Sequence, residues 1–224
     1  MIKAVIFDMF ETLVTLFEGR TYFSENIAAD LGIPMETFRT AWHATETDRS
    51  IGRYTMEEGT AETLKLLGIY SEEAVRLVCS KRRAALGDSF SNIPKASTDL
   101  LSELHARGIQ IGLISNCFSD ECELIKASAL YPYFDAVKLS YEQGICKPDP
   151  AIYFRMTAEL GVEPQECLYV GDGGSRELYA ARDAGMKALQ AQWFRPGFFE
   201  PHVPCAVLPE FDQLAVPADV LKFL

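Results

Sequence analysis

Four short stretches of this chain end in polar residues whose types could work together. The apolar run Lys3-Ala4-Val5-Ile6-Phe7 stops at Asp8. Leu113-Ile114 runs into Ser115-Asn116. Lys147 stands in Gly144-Ile145-Cys146-Lys147-Pro148-Asp149, and Val170-Gly171 runs into Asp172. Together they offer a nucleophilic carboxylate, a hydroxyl or amide donor for a developing oxyanion, an ammonium clamp and a second carboxylate able to ligate a metal. Each has a plainer reading taken singly. Asp8 caps the turn after a strand, Ser115 or Asn116 caps a helix, and Lys147 is a solvated charge. What separates the readings is whether the four lie on one edge of one sheet.

The elements around them say that they do. Lys3–Phe7 reads as a buried, parallel strand, because β-branched and aromatic residues run without alternation. From Ile93 onward, helices and strands alternate. Lys95–Arg107 is a helix stopped by Gly108, Ile109–Ile114 a strand, and Ser119 caps a helix running to about Ala129. Asp135–Leu139 is a short strand. Asp149-Pro150 starts a helix with Asp at the N-cap and Pro in the first turn. Cys167–Val170 is a strand, Ser175–Ala184 a helix and Lys187–Gln190 a strand. Such alternation predicts a doubly wound, parallel, Rossmann-like α/β sheet. In such sheets ligands bind beyond the carboxyl ends of the strands, which is where Asp8, Ser115, Lys147 and Asp172 fall. The tail from Ala191 is rich in Pro and aromatics. It reads as an ordered loop, a strand at Ala206–Leu208 and a terminal helical turn or two.

The block from about Arg20 to Leu86 carries helical stripes and no strand signal. Phe23, Ile27, Ala28 and Leu31 share a face, Phe38 and Trp42 repeat at i, i+4, Thr55-Met56-Glu57-Glu58 fits a capping box, and Ser71 caps a last helix. These predict four helices inserted into the α/β domain, with residues 17–89 as the helical domain and residues 1–16 and 90–224 as the core. Arg20 and Arg53 are candidate contacts to a substrate anion, against the plainer reading of exposed helix charge.

Bulk properties remove several classes. The 224 residues carry a formal net charge of −11, which lacks the basic face that nucleic-acid binding needs. No apolar run approaches the roughly 20 residues that cross a bilayer, and the N-terminal residues show no signal-peptide pattern. The six cysteines form no C-x-x-C pair and match no zinc spacing. The expectation is a cytoplasmic protein with reduced thiols, with oligomeric state unread. His43, His105 and His202 show no pairing with Ser or Cys, so a serine- or cysteine-type hydrolase gains no support.

The order and spacing of four motifs resemble the haloacid dehalogenase (HAD) superfamily of hydrolases over essentially the whole chain. The motifs are Phe7-Asp8-Met9-Phe10-Glu11-Thr12-Leu13, Leu113-Ile114-Ser115-Asn116, Lys147-Pro148-Asp149-Pro150, and Val170-Gly171-Asp172-Gly173-Gly174-Ser175-Arg176-Glu177. The helical block between the first and second is similar to the superfamily's type 1 cap. The resemblance implies that Asp8 is the nucleophile and forms a covalent aspartyl intermediate, with Ser115 and Lys147 holding the transferring group. It implies Mg²⁺ held by Asp8, the backbone carbonyl of Phe10 and Asp172, with Glu177 steadying the metal's waters, and Thr12 supporting the turn.

Phe10 departs from the pattern. Phosphatases of this superfamily place a second Asp there as general acid and base, a group that contributes about 10²–10⁴-fold. An aromatic at this position resembles the metal-independent 2-haloacid dehalogenases, which expel halide from carbon and for which Asn116 would matter most. Gly171-Asp172 and Glu177 point back to a metal. Glu11 is either a displaced acid/base or an exposed flap residue. The leading expectation is a Mg²⁺-dependent phosphatase of a small phosphorylated metabolite. The alternatives are a 2-haloacid dehalogenase and a weakly active or inactive relative that binds a phosphorylated ligand or a protein partner.

Overall fold

Strand β1 (Ala4–Phe7) is buried along its whole length in the computed structural model, which describes residues Met1–Leu224. Past Asp8 the chain turns tightly. The Leu13 and Val14 amides donate to the Met9 carbonyl at 2.8 and 3.0 Å, and the Glu11 amide donates to the Val14 carbonyl at 2.7 Å. Glu11 takes φ +57° to make this turn, a conformation that disfavours any residue with a Cβ.

Five helices follow: α1 (Ser24–Leu31), α2 (Met35–Ala44), α3 (Glu46–Ser50), α4 (Met56–Leu66) and α5 (Glu72–Ser91). Ile27, Ala28, Phe38, Trp42, Met56 and Val78 give this unit an apolar cluster of its own. The sequence predicts four helices. The extra one, α3, escapes a search for apolar stripes because its buried face is a charged residue. Arg49 is fully buried, its guanidinium 3.7 Å from the Trp42 ring centroid and donating to the Trp42 carbonyl at 3.1 Å. The expected caps hold elsewhere. Thr55 and Glu58 form the reciprocal capping box at α4, and the Ser71 hydroxyl accepts from the Ala74 amide at 3.0 Å.

The α/β unit continues with α6 (Lys95–Ala106), β2 (Gln110–Ser115), α7 (Ser119–Ala127), β3 (Ala136–Leu139), α8 (Ser140–Gln143), α9 (Pro150–Leu160), β4 (Cys167–Gly171), α10 (Glu177–Asp183), β5 (Lys187–Ala191) and β6 (Asp212–Leu214). All six strands are parallel, in the order β3-β2-β1-β4-β5-β6. Successive β1 residues feed opposite faces, as strand geometry requires. Val5 and Phe7 join one apolar cluster, Ala4 and Ile6 the other. Phe7 pairs with Leu113 of β2 and Val170 of β4, so Asp8 emerges between the ends of those two strands. No helix is long and apolar enough to cross a membrane.

Two expected details change. Ala206–Leu208 is not a strand, because the Gln190 side chain takes its backbone groups, donating to the Ala206 carbonyl and accepting from the Leu208 amide, each at 2.9 Å. The sixth strand forms later, at Asp212–Leu214. Ser119 does not cap its own helix. Its hydroxyl accepts from the Met56 amide at 2.8 Å, satisfying the first turn of α4 in the helical insert, while Glu121 caps α7 through the Phe118 amide at 2.8 Å.

Candidate active site

Asp8, Ser115, Lys147, Asp172 and Glu177 meet at the carboxyl edge of the sheet. β1, β2 and β4 deliver Asp8, Ser115 and Asp172 directly. Lys147 arrives from the loop between α8 and α9, where Asp149 accepts from the Ala151 amide at 2.9 Å and starts α9. The lysine's backbone is clasped by Asn116, whose amide group donates to the Lys147 carbonyl at 3.0 Å and whose oxygen accepts from the Lys147 amide at 2.8 Å. Asn116 is thus engaged with the lysine loop rather than offered freely to a substrate.

The Lys147 ammonium lies 2.6 Å from Asp8 Oδ1 and 2.5 Å from Glu177 Oε2. Tyr169, fully buried on β4, donates its hydroxyl to the same Glu177 oxygen at 2.7 Å. The other Glu177 oxygen accepts from the Gly173 amide at 3.1 Å. Glu177 is therefore spent on holding Lys147 and the β4–α10 loop. Asp172 accepts from the Gly174 amide at 2.8 Å, and its carbonyl is held by Gln190 at 2.8 Å. Oxygens of Asp8, Asp172 and Glu177 lie within 4.8 Å of one another.

Three carboxylates thus surround one ammonium in a buried site. Burial pushes Asp8 up to about 8, with Glu177 and Asp172 adding to it and Lys147 opposing. Burial likewise lifts Asp172 to about 6, helped by Glu177. Burial works against the charge of Lys147, but Asp8 and Glu177 outweigh it and hold the ammonium well above its ordinary range. The lysine stays charged, and the crowded carboxyls keep their protons to a higher pH than usual unless a further cation offsets their charge. A site built this way fits a divalent cation, and an all-oxygen donor set suits a hard one such as Mg²⁺. The Thr12 hydroxyl is buried with no hydrogen-bond partner, while its carbonyl accepts from Trp193 Nε1 at 2.9 Å. Ser115 is fully buried, and its hydroxyl makes only a long 3.5 Å contact to the Asn116 carbonyl. Both hydroxyls remain uncommitted.

Two residues beside Asp8 behave unlike their plainest readings. Glu11 is buried rather than an exposed flap residue. It accepts from the Thr15 hydroxyl and the Leu16 amide, each at 2.7 Å, and burial lifts its carboxyl to about 7. It lines a small cavity together with Asp172, Arg195 and Cys205. Phe10 packs its ring edge-on against Phe90 at 6.2 Å, at the point where α5 returns to the core. Arg20 is not brought to the strand ends. It faces Asp88 at 3.5 Å with a 65% exposed side chain and lines a cavity of about 500 Å³ between α1 and α5, among Tyr22, Asp30 and Lys81. Its charge therefore lies on that outer face of the helical unit. Arg53 pairs with Asp48 at 2.9 Å on the surface.

Tyr169 and Gln190 were not legible as site residues. A signal existed for both, since a phenol or amide inside a buried strand must find a partner, but the sequence does not say which.

The family model for haloacid dehalogenase-like hydrolases matches residues 2–185. The chain belongs to this family. Among curated relatives, this HAD-like hydrolase is 34% identical over 90 residues to a phosphoserine phosphatase of Thermus thermophilus, covering 40% of this chain and 36% of that protein. It is 31% identical over 106 residues to a glyceraldehyde 3-phosphate phosphatase of Pyrococcus furiosus, covering 47% and 42%. The matched segments span well under half the length of these relatives. Among solved structures, a HAD family enzyme of Bacteroides thetaiotaomicron in complex with magnesium and inorganic phosphate superposes with a TM-score of 0.66 at 22% identity, covering 85% of this chain and 94% of that one. A 2-haloacid dehalogenase of Pseudomonas syringae superposes with a TM-score of 0.69 at 22% identity, covering 99% and 97%. These likenesses establish the shared fold.

Proposed function

We propose that this HAD-like hydrolase is a Mg²⁺-dependent phosphatase of a small phosphorylated metabolite, acting in the cytoplasm, with Asp8 as nucleophile. The observation that carries this reading is the surplus of buried carboxylate around Asp8. Asp172 stands beside Asp8 with no protein cation paired to it, its carboxyl lifted to about 6 by burial and Glu177, an arrangement that metal-free halide displacement does not need. The phosphatase relatives support the substrate class. Residues 1–16 and 90–224 are assigned as the core, and residues 17–89 as a cap that covers the site and selects the substrate.

Asp8 Oδ attacks phosphorus, the bond from phosphorus to the leaving oxygen breaks, and an aspartyl phosphate forms. Lys147 and Ser115 hold the phosphoryl oxygens, with Thr12 supporting the turn that presents Asp8. Bound Mg²⁺, held by Asp8, Asp172 and the Phe10 carbonyl, would offset negative charge on the carboxylates and the phosphoryl group. Glu11 is assigned as the acid that protonates the leaving oxygen and the base that then takes a proton from the attacking water. A carboxyl lifted to about 7 suits that exchange near neutral pH. Water attack on the aspartyl phosphate releases phosphate and restores Asp8.

The test is phosphate release from a panel of phosphomonoesters with Mg²⁺ or with chelator, in the wild type and in Asp8→Asn. Activity that requires Mg²⁺ and is lost in Asp8→Asn is the expected result. Phe10 favours a second reading, 2-haloacid dehalogenation by attack of Asp8 on carbon. Halide release from a chloroacid in the presence of chelator, without phosphate release from any ester, overturns the phosphatase in its favour.

A further inference from the structure

The cap meets the core along a seam whose inner end is a single hydroxyl. Ser140, fully buried at the start of α8, donates to the carbonyl of Ser50, the last residue of α3 in the cap, at 2.7 Å. The same hydroxyl accepts from the Cys117 amide at 3.0 Å. Cys117 directly follows Asn116, and Asn116 clasps Lys147 through both of its side-chain polar atoms. The lysine in turn reaches Asp8. Hydrogen bonds alternating with the covalent Cys117–Asn116 link and the Lys147 side chain therefore join a cap carbonyl to Asp8.

The seam beside this run is unusually close. Gly52, at φ +77°, lies against the core so tightly that an added Cβ would sit 2.2 Å from the Tyr141 carbonyl oxygen. Only a residue without Cβ allows this approach. On the other side of Cys117, the Phe118 ring enters the cap beneath Arg49, whose guanidinium lies 4.8 Å from the ring centroid. The segment carrying Asn116 is thus gripped by cap groups from two directions.

We propose that Ser140 is a positioning residue through which the seated cap fixes the Asn116–Lys147 clasp, so that Lys147 is held on Asp8 only when the Ser50–Gly52 seam is closed. This deepens the phosphatase reading and rests on it for its consequence in turnover. The coupling itself does not depend on which reaction Asp8 performs. When the seam parts, the Ser140 hydroxyl loses Ser50, Cys117 and Asn116 gain freedom, and the lysine loop follows. The cap then does more than exclude water: its seating completes the charge clamp at the nucleophile.

The test is Gly52→Ala, which wedges the seam apart without leaving a buried charge unpaired. Gly68→Ala is the control. Gly68 is also in the cap, at φ +69°, but an added Cβ meets nothing within 4 Å, so it carries the backbone strain without the clash. Residue-resolved amide exchange in the full chain should show the Lys147 amide exchanging faster in Gly52→Ala, with the Leu168 amide of β4 unchanged and Gly68→Ala like wild type. Ser140→Ala should reproduce the loss at Lys147. In turnover of a small phosphomonoester, kcat should fall about three- to thirtyfold in Gly52→Ala, the range expected for coupling through packed contacts, with KM less affected. Wild-type protection of the Lys147 amide in Gly52→Ala overturns the proposal, as does an equal loss in Gly68→Ala. Because exchange is read without substrate, failure of the phosphatase reading leaves this result interpretable.

Discussion

Lys147 stands between Asp8 and Glu177, its ammonium 2.6 Å from one carboxylate and 2.5 Å from the other. Only a few per cent of any of these three side chains except Asp8, at 10%, meets solvent. Removing one partner of a buried ion pair costs about 3–5 kcal/mol. Lys147→Met should therefore lower metal-free stability by about that amount at pH 8, less at pH 5.5 where the stranded carboxylates can protonate. Urea unfolding in chelator at both pH values measures it, and phosphate release should fall by at least about 10².

The same crowding sets a pH dependence. Asp8, Glu11 and Asp172 are lifted to about 8, 7 and 6 from ordinary values of 3.8, 4.5 and 3.8. Between those limits the folded protein binds more protons than the unfolded chain, so stability falls as pH rises. Lys147, also raised, acts in the same sense, but only above its ordinary 10.5, outside this window. The melting temperature of the chelated protein should drop steadily from pH 5 to pH 8. Mg²⁺ held by the ionised carboxylates, as proposed, should flatten that slope; an unchanged slope at saturating Mg²⁺ would argue against a cation at this cluster.

Phe10 bears on the reaction through what it lacks. Phe10→Asp supplies a second carboxyl two residues from Asp8 and, in a Glu11→Gln background, should raise phosphatase turnover, within the about 10²–10⁴-fold that a positioned acid/base group provides. It also removes the edge-on contact to Phe90, worth about 0.5–1.5 kcal/mol, so the variant should melt lower. No gain in a folded, Mg²⁺-binding variant counts against the acid/base explanation.

Glu11 separates chemistry from architecture by two substitutions. Glu11→Gln keeps an oxygen for the Leu16 amide but cannot exchange a proton near neutral pH. It should cut kcat by about 10²-fold or more and remove the limb of the pH–rate profile near 7. Glu11→Gly relieves the positive φ but frees Thr15 and Leu16. Its loss should appear in stability of the turn as well as in kcat. Full activity in Glu11→Gln moves the acid/base role elsewhere.

Arg82 of α5 reaches across to the core, donating to Asp120 at 2.9 Å and to Glu121. The three side chains are 12%, 2% and 8% exposed. Arg82→Ala strands two buried carboxylates and should cost about 3–5 kcal/mol, read by denaturant unfolding. Limited proteolysis should then cut first in the linkers that flank the insert. Asp120→Asn with Glu121→Gln added to Arg82→Ala should recover part of the stability, because the buried charge is removed.

Strands with uninterrupted β-branched residues, Asp149-Pro150 as a helix start and Thr55–Glu58 as a capping box were readable because each is a local preference that tertiary packing did not oppose. Helix α3 was not, since its buried face is Arg49 and burial of a guanidinium on Trp42 has no local signature. The strand expected at Ala206–Leu208 failed for a similar reason. A glutamine 16 residues upstream of Ala206 competes for its backbone, and only contact in space reveals that.

The sequence by itself determined which residues reach the carboxyl edge of the sheet. Parallel strands follow from alternation of helix and strand, and in a parallel sheet the residues that follow each strand fall on one edge. The tertiary structure decided how those residues divide the work. Asn116, a substrate contact by resemblance to the dehalogenases, is committed to the Lys147 backbone, Glu177 to the lysine and the loop, and Arg20 to an outer face of the insert. A hydrogen bond is directional and effective over about 3 Å, so which polar atom is left free for a substrate depends on packing that spacing along the chain cannot encode.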